Sequence, residues 1–325
     1  MLMTQWLLPE NVEDLLPQQA QQLEQWKRLL LDLYHENGYQ YIMPSMLEYV
    51  DSLNAHGKDL DLDTFKVVDQ LTGKMMGVSS DLTAQAARVD AQMCHQGQNK
   101  LCYAGPILRA KSSPKQSREL YQVGIEYFGE PSIEADLEVH NTLIKSLKLL
   151  GIKEIILDFN HLDVYNLLVG QLNLTPQENA EVAEAVIIKD NVALKKTLKS
   201  QNNKDACKQL LELLNLYGDE GVLDELKKLI PENNKIQSVI DSLIVVNNAL
   251  KLLDIKVSFD FSDIRGYQYH NGLIFSAYAP SFSSLIAQGG RYDNMNEAFG
   301  EIRPATGFSM DLRLIVNTLN EIEKK

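Results

Sequence analysis

The amino-acid sequence predicts an α+β protein whose core of strands and helices is interrupted by an all-helical segment. Strand-like runs lie on both sides of this segment, at 101–109 and at 257–261, whereas residues 161–255 are almost entirely helix-forming. The chain has 325 residues, which is enough for one large or two medium domains. We therefore expect a core made of residues 1–160 and 256–325, with a helical insertion domain at 161–255.

The elements before the insertion follow from apolar spacing and turn residues. Apolar side chains recur at helical spacing from Gln18 to Glu36, Pro17 suits the first helical position, and Gly38 can end the helix. The elements predicted next are a strand at 40–44, a hairpin at 64–79, a helix at 82–94 capped by Asp81, antiparallel strands at 101–109 and 119–128, a helix at 132–150 and a strand at 155–159.

Strands return after the insertion. The predicted elements there are strands at 257–261, 272–278 and 284–288, a glycine turn at 289–290 and a final helix from Ser309 to the end of the chain.

Charge and composition exclude several classes of function. The 31 basic and 44 acidic residues give a net charge of −13, which argues against broad binding to nucleic acids or anionic membranes. Neither the three cysteines nor the six histidines show metal-ligand spacing, so we expect reduced thiols, no metal and no cofactor. The start of the chain lacks a signal-peptide pattern and the apolar runs are too short to span a bilayer, so we expect a cytoplasmic protein.

Polar residues on a candidate strand are the first sign of a binding site. In the strand 119–128, Gln122, Gly124 and Glu126 share one face, and the other face is apolar. An amide, a gap and a carboxylate suit a small polar ligand lying over a sheet. The alternative is the solvent-facing side of an antiparallel sheet, and these residues alone favour that alternative.

Two later segments carry further candidate residues. Residues 263–272 place the cation Arg265 among tyrosines and amides, and residues 288–293 join paired glycines to Arg291. Either segment alone is as compatible with a simple turn as with a ligand site.

In combination, these segments resemble histidyl-tRNA synthetases and their non-synthetase paralogues. The matching stretches are 38–48 for the first class II motif, a dimer-interface helix and strand, 79–83 for the amino-acid-binding turn, Arg109 with Arg118, Gln122 and Glu126 for the second motif, 265–270 and 290–293 for the two histidine-specific stretches, and 304–308 for the start of the third motif. The resemblance covers nearly the whole chain and is weakest in the helical insertion. It implies a class II aminoacyl-tRNA synthetase-like fold, with an antiparallel sheet flanked by helices.

The resemblance also implies a histidine pocket. Its residues would be Asp81 and Thr83 at the ligand's ammonium, Gln122 with Arg109 or Arg265 at its carboxylate, and Glu126 with Tyr269 near its imidazole. Opposite charges at the two ends suit a zwitterion with a polar ring.

Departures from the family pattern indicate that ATP chemistry has been lost. Lys111 stands where the second motif has an acidic residue. In the third motif, Asp311 stands at the place of a glycine and Leu314 at the place of the arginine. Arg313 is one residue away, about 100° around a helix. The chain ends at Lys325, directly after the third motif, so we expect no anticodon-binding domain and no tRNA partner. No catalytic residue is predicted.

The resemblance is closer to the regulatory subunits of short-form ATP phosphoribosyltransferase, the first enzyme of histidine biosynthesis. Residues 81–90 and 307–313 in particular match the variants of these stretches in the regulatory subunits. It implies a non-catalytic subunit that activates a separate catalytic subunit and mediates feedback inhibition by histidine, in a hetero-octamer built on class II-like dimers. The alternatives are a truncated histidyl-tRNA synthetase that still activates histidine, and a free-standing amino-acid sensor or tRNA-mimic module.

Overall fold

The computed structural model describes residues 7–53, 63–93, 97–111, 117–231, 233–267, 270–293 and 302–323. The chain forms two compact units. Unit 1 comprises Met1–Pro131, Glu138–Gly151 and Asp293–Lys325, and unit 2 comprises Ser132–Leu137 and Ile152–Tyr292. The division predicted from the sequence, with a core of 1–160 and 256–325 and an insertion of 161–255, stays a prediction.

The helices and strands follow the predicted order. In chain order they are α1 (Pro17–Glu36), β1 (Gln40–Tyr41), β2 (Leu47–Tyr49), α2 (Val50–Leu53), β3 (Lys66–Val68), β4 (Met75–Val78), α3 (Leu82–Gln92), β5 (Asn99–Leu108), β6 (Glu119–Phe128), α4 (Ile133–Leu149), β7 (Ile156–His161), α5 (Leu162–Val169), α6 (Pro176–Ile187), α7 (Asn191–Thr197), α8 (Lys204–Leu213), β8 (Tyr217–Gly218), α9 (Gly221–Leu229), α10 (Asn234–Lys251), β9 (Lys256–Asp260), β10 (Leu273–Tyr278), β11 (Ala287–Arg291), β12 (Ala305–Asp311) and α11 (Leu312–Glu323). The described part of the chain contains no helix long and apolar enough to cross a bilayer.

In unit 1, strands β1, β5, β6 and β12 lie side by side in that order. The pairs β5–β6 and β6–β12 are antiparallel, which confirms the pairing predicted for the two long strands. The register places Gly124 opposite Tyr103 on one side and opposite Ser309 on the other. Directly opposite residues share a face, so the polar face of β6 also carries Tyr103.

Helix α1 supplies part of the core of unit 1. Pro17, which has no backbone N–H, is the first residue of the helix, where that N–H would have no helical partner. The helix buries Leu30 and Tyr34 completely. The Tyr34 ring meets Phe308 of β12 edge-on, with the centroids 6.2 Å apart. This contact holds α1 against the strand that carries the third motif.

A second, smaller sheet in unit 1 has the order β2–β4–β3, with antiparallel pairing throughout. The predicted hairpin is confirmed as β3–β4. Its turn is held by the Asp69 carboxylate, which accepts hydrogen bonds from the Leu71 N–H and the Thr72 hydroxyl.

In unit 2, strands β11, β10, β7, β9 and β8 form a sheet in that order. The sheet core contains Phe159, and the ring centroids of Phe275 and Phe259 lie 6.0 and 6.5 Å from its own, respectively. Residues 162–251 are mainly helical, as the sequence predicts, and the capping box at Thr175 and Glu178 starts α6.

Two predicted elements after the insertion are wrong. Gly289 and Gly290 do not form a turn but lie in β11, opposite Phe275 and Ile274 of β10. Likewise, Ser309 does not begin the final helix: it lies in β12, and the helix begins at Leu312. In both places, backbone pairing with a neighbouring strand outweighs the local preference of glycine or serine.

Candidate functional site

A hydrogen-bonded pair at the start of α3 forms one end of the candidate site in unit 1. Asp81 is the N-cap, and its Oδ1 accepts hydrogen bonds from the Thr83 N–H and from Gln122 Nε2, both at 2.9 Å. Gln122 Oε1 in turn accepts the Leu82 N–H at 2.7 Å. Both ends of the Gln122 amide therefore have a partner, which fixes the orientation of this buried side chain.

A second chain of hydrogen bonds runs through the centre of the site. The Tyr103 hydroxyl lies 2.9 Å from Thr83 Oγ1 and donates to Glu126 Oε1 at 2.8 Å. Tyr103 and Glu126 are 0% and 1% exposed, respectively. Because Gln122 and Glu126 are buried, the solvent-facing interpretation of the polar face of β6 is wrong.

Two glycines leave space for these side chains. A Cβ at Gly124 would lie 2.6 Å from the Tyr103 hydroxyl and 2.4 Å from the Phe308 carbonyl oxygen. A Cβ at Gly307 would lie 1.8 Å from Glu126 Oε2. Any larger residue at either position would displace the ring or the carboxylate that the site depends on.

Arg109 lies directly after the last residue of β5, Leu108. Its Nε is 3.4 Å from the Ser80 carbonyl oxygen, which tethers it beside the turn that carries Asp81. Burial raises the pKa of Asp311, while backbone N–H donors and the Arg109 cation act in the opposite direction. Arg109 is thus close enough to influence the aspartate that replaces a glycine of the third motif.

Arg313, the cation next to the family's ATP-binding position, is already paired within unit 1. Its Nη1 lies 3.2 Å from Glu119 Oε2, and its Nη2 donates to the Glu13 carbonyl oxygen. The side chain is 9% exposed. Lys111, at the place of the second motif's acidic residue, is exposed.

The described residues of the histidine-specific stretches, apart from Asp293, lie in unit 2. Arg265 makes two hydrogen bonds to Asp263, at 2.7 and 2.5 Å, and one to the Tyr278 hydroxyl at 2.9 Å. The Asp263 carboxylate raises the pKa of Arg265 above its ordinary value. Arg291 donates to the buried Asp136 at 2.8 Å, an ion pair at the start of α4. Tyr269 lies outside the described residues.

The structure thus brings four of the seven predicted site residues into one network, namely Asp81, Thr83, Gln122 and Glu126. Arg109 lies beside this network, and Arg265 belongs to unit 2. Sequence reasoning missed Tyr103, which joins Thr83 to Glu126. The signal for it was the alternation of β5, which puts Tyr103 opposite Gly124 once the two strands are paired. Among the described residues, no group of three or more His, Cys, Asp or Glu side chains is placed to hold a metal ion.

Comparison with known proteins identifies the family. The family model described as "Histidyl-tRNA synthetase" matches residues 11–315. An "ATP phosphoribosyltransferase regulatory subunit" from Methylobacillus flagellatus is 43% identical over 98% of this chain and 82% of its own length. The chain belongs to the family of ATP phosphoribosyltransferase regulatory subunits.

Solved structures show the same fold as this regulatory-subunit chain. An "ATP phosphoribosyltransferase regulatory subunit/histidyl-tRNA synthetase" from Bacillus halodurans has a TM-score of 0.85 at 25% identity, covering 97% of this chain and 84% of that one. A chain of the "ATP phosphoribosyl transferase (HisG:HisZ) complex" from Thermotoga maritima has a TM-score of 0.68 at 18% identity, covering 92% and 98%. The predicted class II synthetase-like fold is confirmed.

Proposed function

We propose that this chain is the non-catalytic regulatory subunit of short-form ATP phosphoribosyltransferase, which activates the catalytic subunit and carries feedback inhibition by histidine. One contrast within unit 1 supports this function. The side chains suited to an amino acid form a connected network, whereas the cation beside the nucleotide position is neutralised by the chain's own Glu119.

The start of α3 suits the zwitterionic end of histidine. Asp81 and Thr83 offer a carboxylate and a hydroxyl to the ammonium group, and Gln122 Nε2 offers a donor toward the carboxylate. The network fixes these groups before a ligand arrives, which lowers the ordering cost of binding. Arg109 is the cation proposed for the carboxylate, and the alternative, Arg265 of unit 2, is already paired with Asp263.

The buried Glu126 carboxylate suits the ring end. An imidazole N–H can donate to it, while an apolar ring of the same size would leave a buried carboxylate without that bond, which is costly. We propose Tyr269 as a second contact to the ring.

The region that holds ATP in the synthetases lacks, in this chain, a free positive charge at Arg313 to bind a triphosphate. Arg313 is held by Glu119, and Asp311 adds a carboxylate close to Arg109. Electrostatic stabilisation by correctly placed cations is usually the largest single contribution to such chemistry. The arrangement therefore disfavours adenylation.

The relatives name the partner enzyme as ATP phosphoribosyltransferase, and we propose that this chain also pairs with itself as a dimer within a hetero-octamer. The small sheet supports self-association because Leu47, Tyr49 and Val67 lie on one face with 45%, 41% and 45% exposure. Met76 and Val78 share that face through the strand register. Contiguous exposed apolar surface of this kind is typical of protein interfaces.

Feedback inhibition would follow from linkage. If histidine favours an assembly state of low activity, that state must bind histidine more tightly, by a coupling free energy of typically about 1–3 kcal/mol. The proposal includes a cytoplasmic location and no bound cofactor.

Calorimetric titration of histidine into the chain alone, and then into its complex with the catalytic subunit, tests this function. We expect binding in both and a tighter affinity in the inhibited complex. Glu126→Gln, which keeps the side-chain volume but removes the charge, should weaken histidine binding at least about tenfold. The control Glu130→Gln, just beyond the same strand, should bind like the wild type. Absence of histidine binding in the chain and in the complex would refute the effector role.

The truncated-synthetase alternative makes a different prediction. A working synthetase would catalyse histidine-dependent exchange of pyrophosphate into ATP, and the regulatory subunit would not. A free-standing sensor would bind histidine without changing phosphoribosyl transfer.

A further inference from the structure

Tyr103 connects the two ends of the candidate histidine site. Its hydroxyl touches Thr83, which faces the ammonium end, and Glu126, which faces the ring end. The ring lies over Gly124, where a Cβ would come within 2.6 Å of the hydroxyl. The side chain is completely buried, and none of the site predictions made from the sequence includes it.

The hydrogen bonds of Tyr103 have a defined direction. A tyrosine hydroxyl has one proton, and a carboxylate can only accept, so this proton goes to Glu126 Oε1. The Thr83 hydroxyl must then donate its own proton to the Tyr103 oxygen. Thr83 Oγ1 is left with acceptor capacity, which is what an ammonium group requires.

The surroundings keep Tyr103 in the protonated form that this direction needs. Burial raises the pKa of Tyr103 well above its ordinary value, and the Glu126 and Asp81 carboxylates raise it further. At ordinary pH the Tyr103 hydroxyl therefore keeps its proton and remains a donor to Glu126.

We propose that Tyr103 is a positioning residue that sets the affinity and ring specificity of the histidine site, because its hydroxyl orients the Glu126 carboxylate and fixes Thr83 as an acceptor. This inference rests on the proposed function. Tyr103 acts through its two neighbours, so its removal should change how the site recognises a ligand without removing a ligand contact.

The variant Tyr103→Phe removes the hydroxyl and keeps the ring. In the full chain, we expect the dissociation constant for histidine to rise at least about tenfold, because Glu126 loses a charge-assisted donor and the Thr83 hydroxyl is free to rotate. The matched control is Tyr127→Phe. Tyr127 lies on the opposite face of β6, and its hydroxyl donates to Gln98 at 2.9 Å. Tyr127→Phe should bind histidine like the wild type.

Two readouts separate positioning from a merely structural role. The first is the ratio of affinities for histidine and β-(2-thienyl)alanine, whose five-membered ring lacks an N–H donor. We expect Tyr103→Phe to reduce this ratio. The second is the pH profile of histidine binding, which should differ between Tyr103→Phe and the wild type because the Glu126 carboxylate loses the Tyr103 hydroxyl as a donor.

A second variant tests the inference independently of whether Tyr103→Phe folds. Thr83→Val keeps the shape of the side chain and the bond from Tyr103 to Glu126, so it should weaken histidine and thienylalanine binding by the same factor. A changed ratio of histidine to thienylalanine affinity in Thr83→Val would contradict the chain of hydrogen bonds from Thr83 through Tyr103 to Glu126. A wild-type affinity ratio and a wild-type pH profile in folded Tyr103→Phe would contradict it as well. If the wild-type chain binds no histidine, the proposed function itself fails, and that result is distinct from wild-type behaviour of the variants.

Discussion

Asp158 in the sheet of unit 2 gives a stability prediction with a definite sign. The side chain lies on β7, where its Oδ1 accepts a hydrogen bond from the Ser258 hydroxyl of β9. Burial raises its pKa from the ordinary 3.8 to about 6, the carboxylates of Asp260 and Asp263 contribute in the same direction, and Ser258 and Lys189 oppose them.

The raised pKa means that the ionised form of Asp158 destabilises the folded state. Below pH 3.8 the folded and unfolded states are both protonated at this residue, so it has no effect there. As the pH rises to about 6, the unfolded state releases its proton first and the free energy of unfolding falls. The difference between the two pKa values corresponds to a loss of about 3 kcal/mol above pH 6.

The variant Asp158→Asn should recover this free energy because the amide still accepts from Ser258 without the charge. We expect urea unfolding, followed by the helical circular dichroism signal, to show a gain of up to about 3 kcal/mol at pH 8 that vanishes toward pH 4. The control Asp241→Asn, at an exposed position of α10, should show no such pH-dependent gain. A gain that is equal at pH 4 and pH 8, or a loss at pH 8, would refute the reasoning.

Two further predictions concern the site and the small sheet. Gly307→Ala should weaken histidine binding at least about tenfold in calorimetry, because its Cβ would lie 1.8 Å from Glu126 Oε2. The control Gly221→Ala in unit 2, whose Cβ would meet only Asp219 Oδ1 at 3.2 Å, should bind normally, and equal affinities would contradict the packing described. Val67→Glu should shift the proposed dimer toward monomer in sedimentation velocity, because it places a charge on the exposed apolar face of the small sheet. Val68→Glu, which faces the other side of β3 and is 56% exposed, should not. An unchanged sedimentation profile in Val67→Glu would exclude this face as the interface.

Much of the fold could be predicted because local and long-range signals agree. The bounds of β6 match the prediction, and those of α1 and α4 differ by no more than one residue at each end. These segments have a strict period and clear ends, Pro17 and Gly38 in the case of α1. The packing of the chain therefore does not need to override them.

The errors occur where pairing decides the structure. Gly289 and Gly290 have turn-forming preferences, yet both are hydrogen-bonded neighbours of β10. Ser309 lies opposite Gly124, and the strand continues to Asp311 before the helix begins. Neither partner can be identified from the local sequence alone.

The candidate site was only partly accessible from the sequence. The period of β6 groups Gln122 with Glu126, but their burial depends on the elements that cover the sheet. The role of Tyr103 depends on the register between β5 and β6 and on the absence of a side chain at Gly124. The pairing of Arg313 with Glu119 is likewise a tertiary contact, so the sequence alone could not show that this cation beside the third motif's arginine position is neutralised.

The most direct test of the regulatory role is the phosphoribosyltransferase activity of the purified short-form catalytic subunit, measured alone, with this chain, and with this chain plus histidine. We expect turnover to rise when the chain is added and to fall again as histidine is titrated. Unchanged turnover on mixing, together with rapid formation of histidyl-adenylate by the chain alone, would contradict the regulatory role and favour a synthetase.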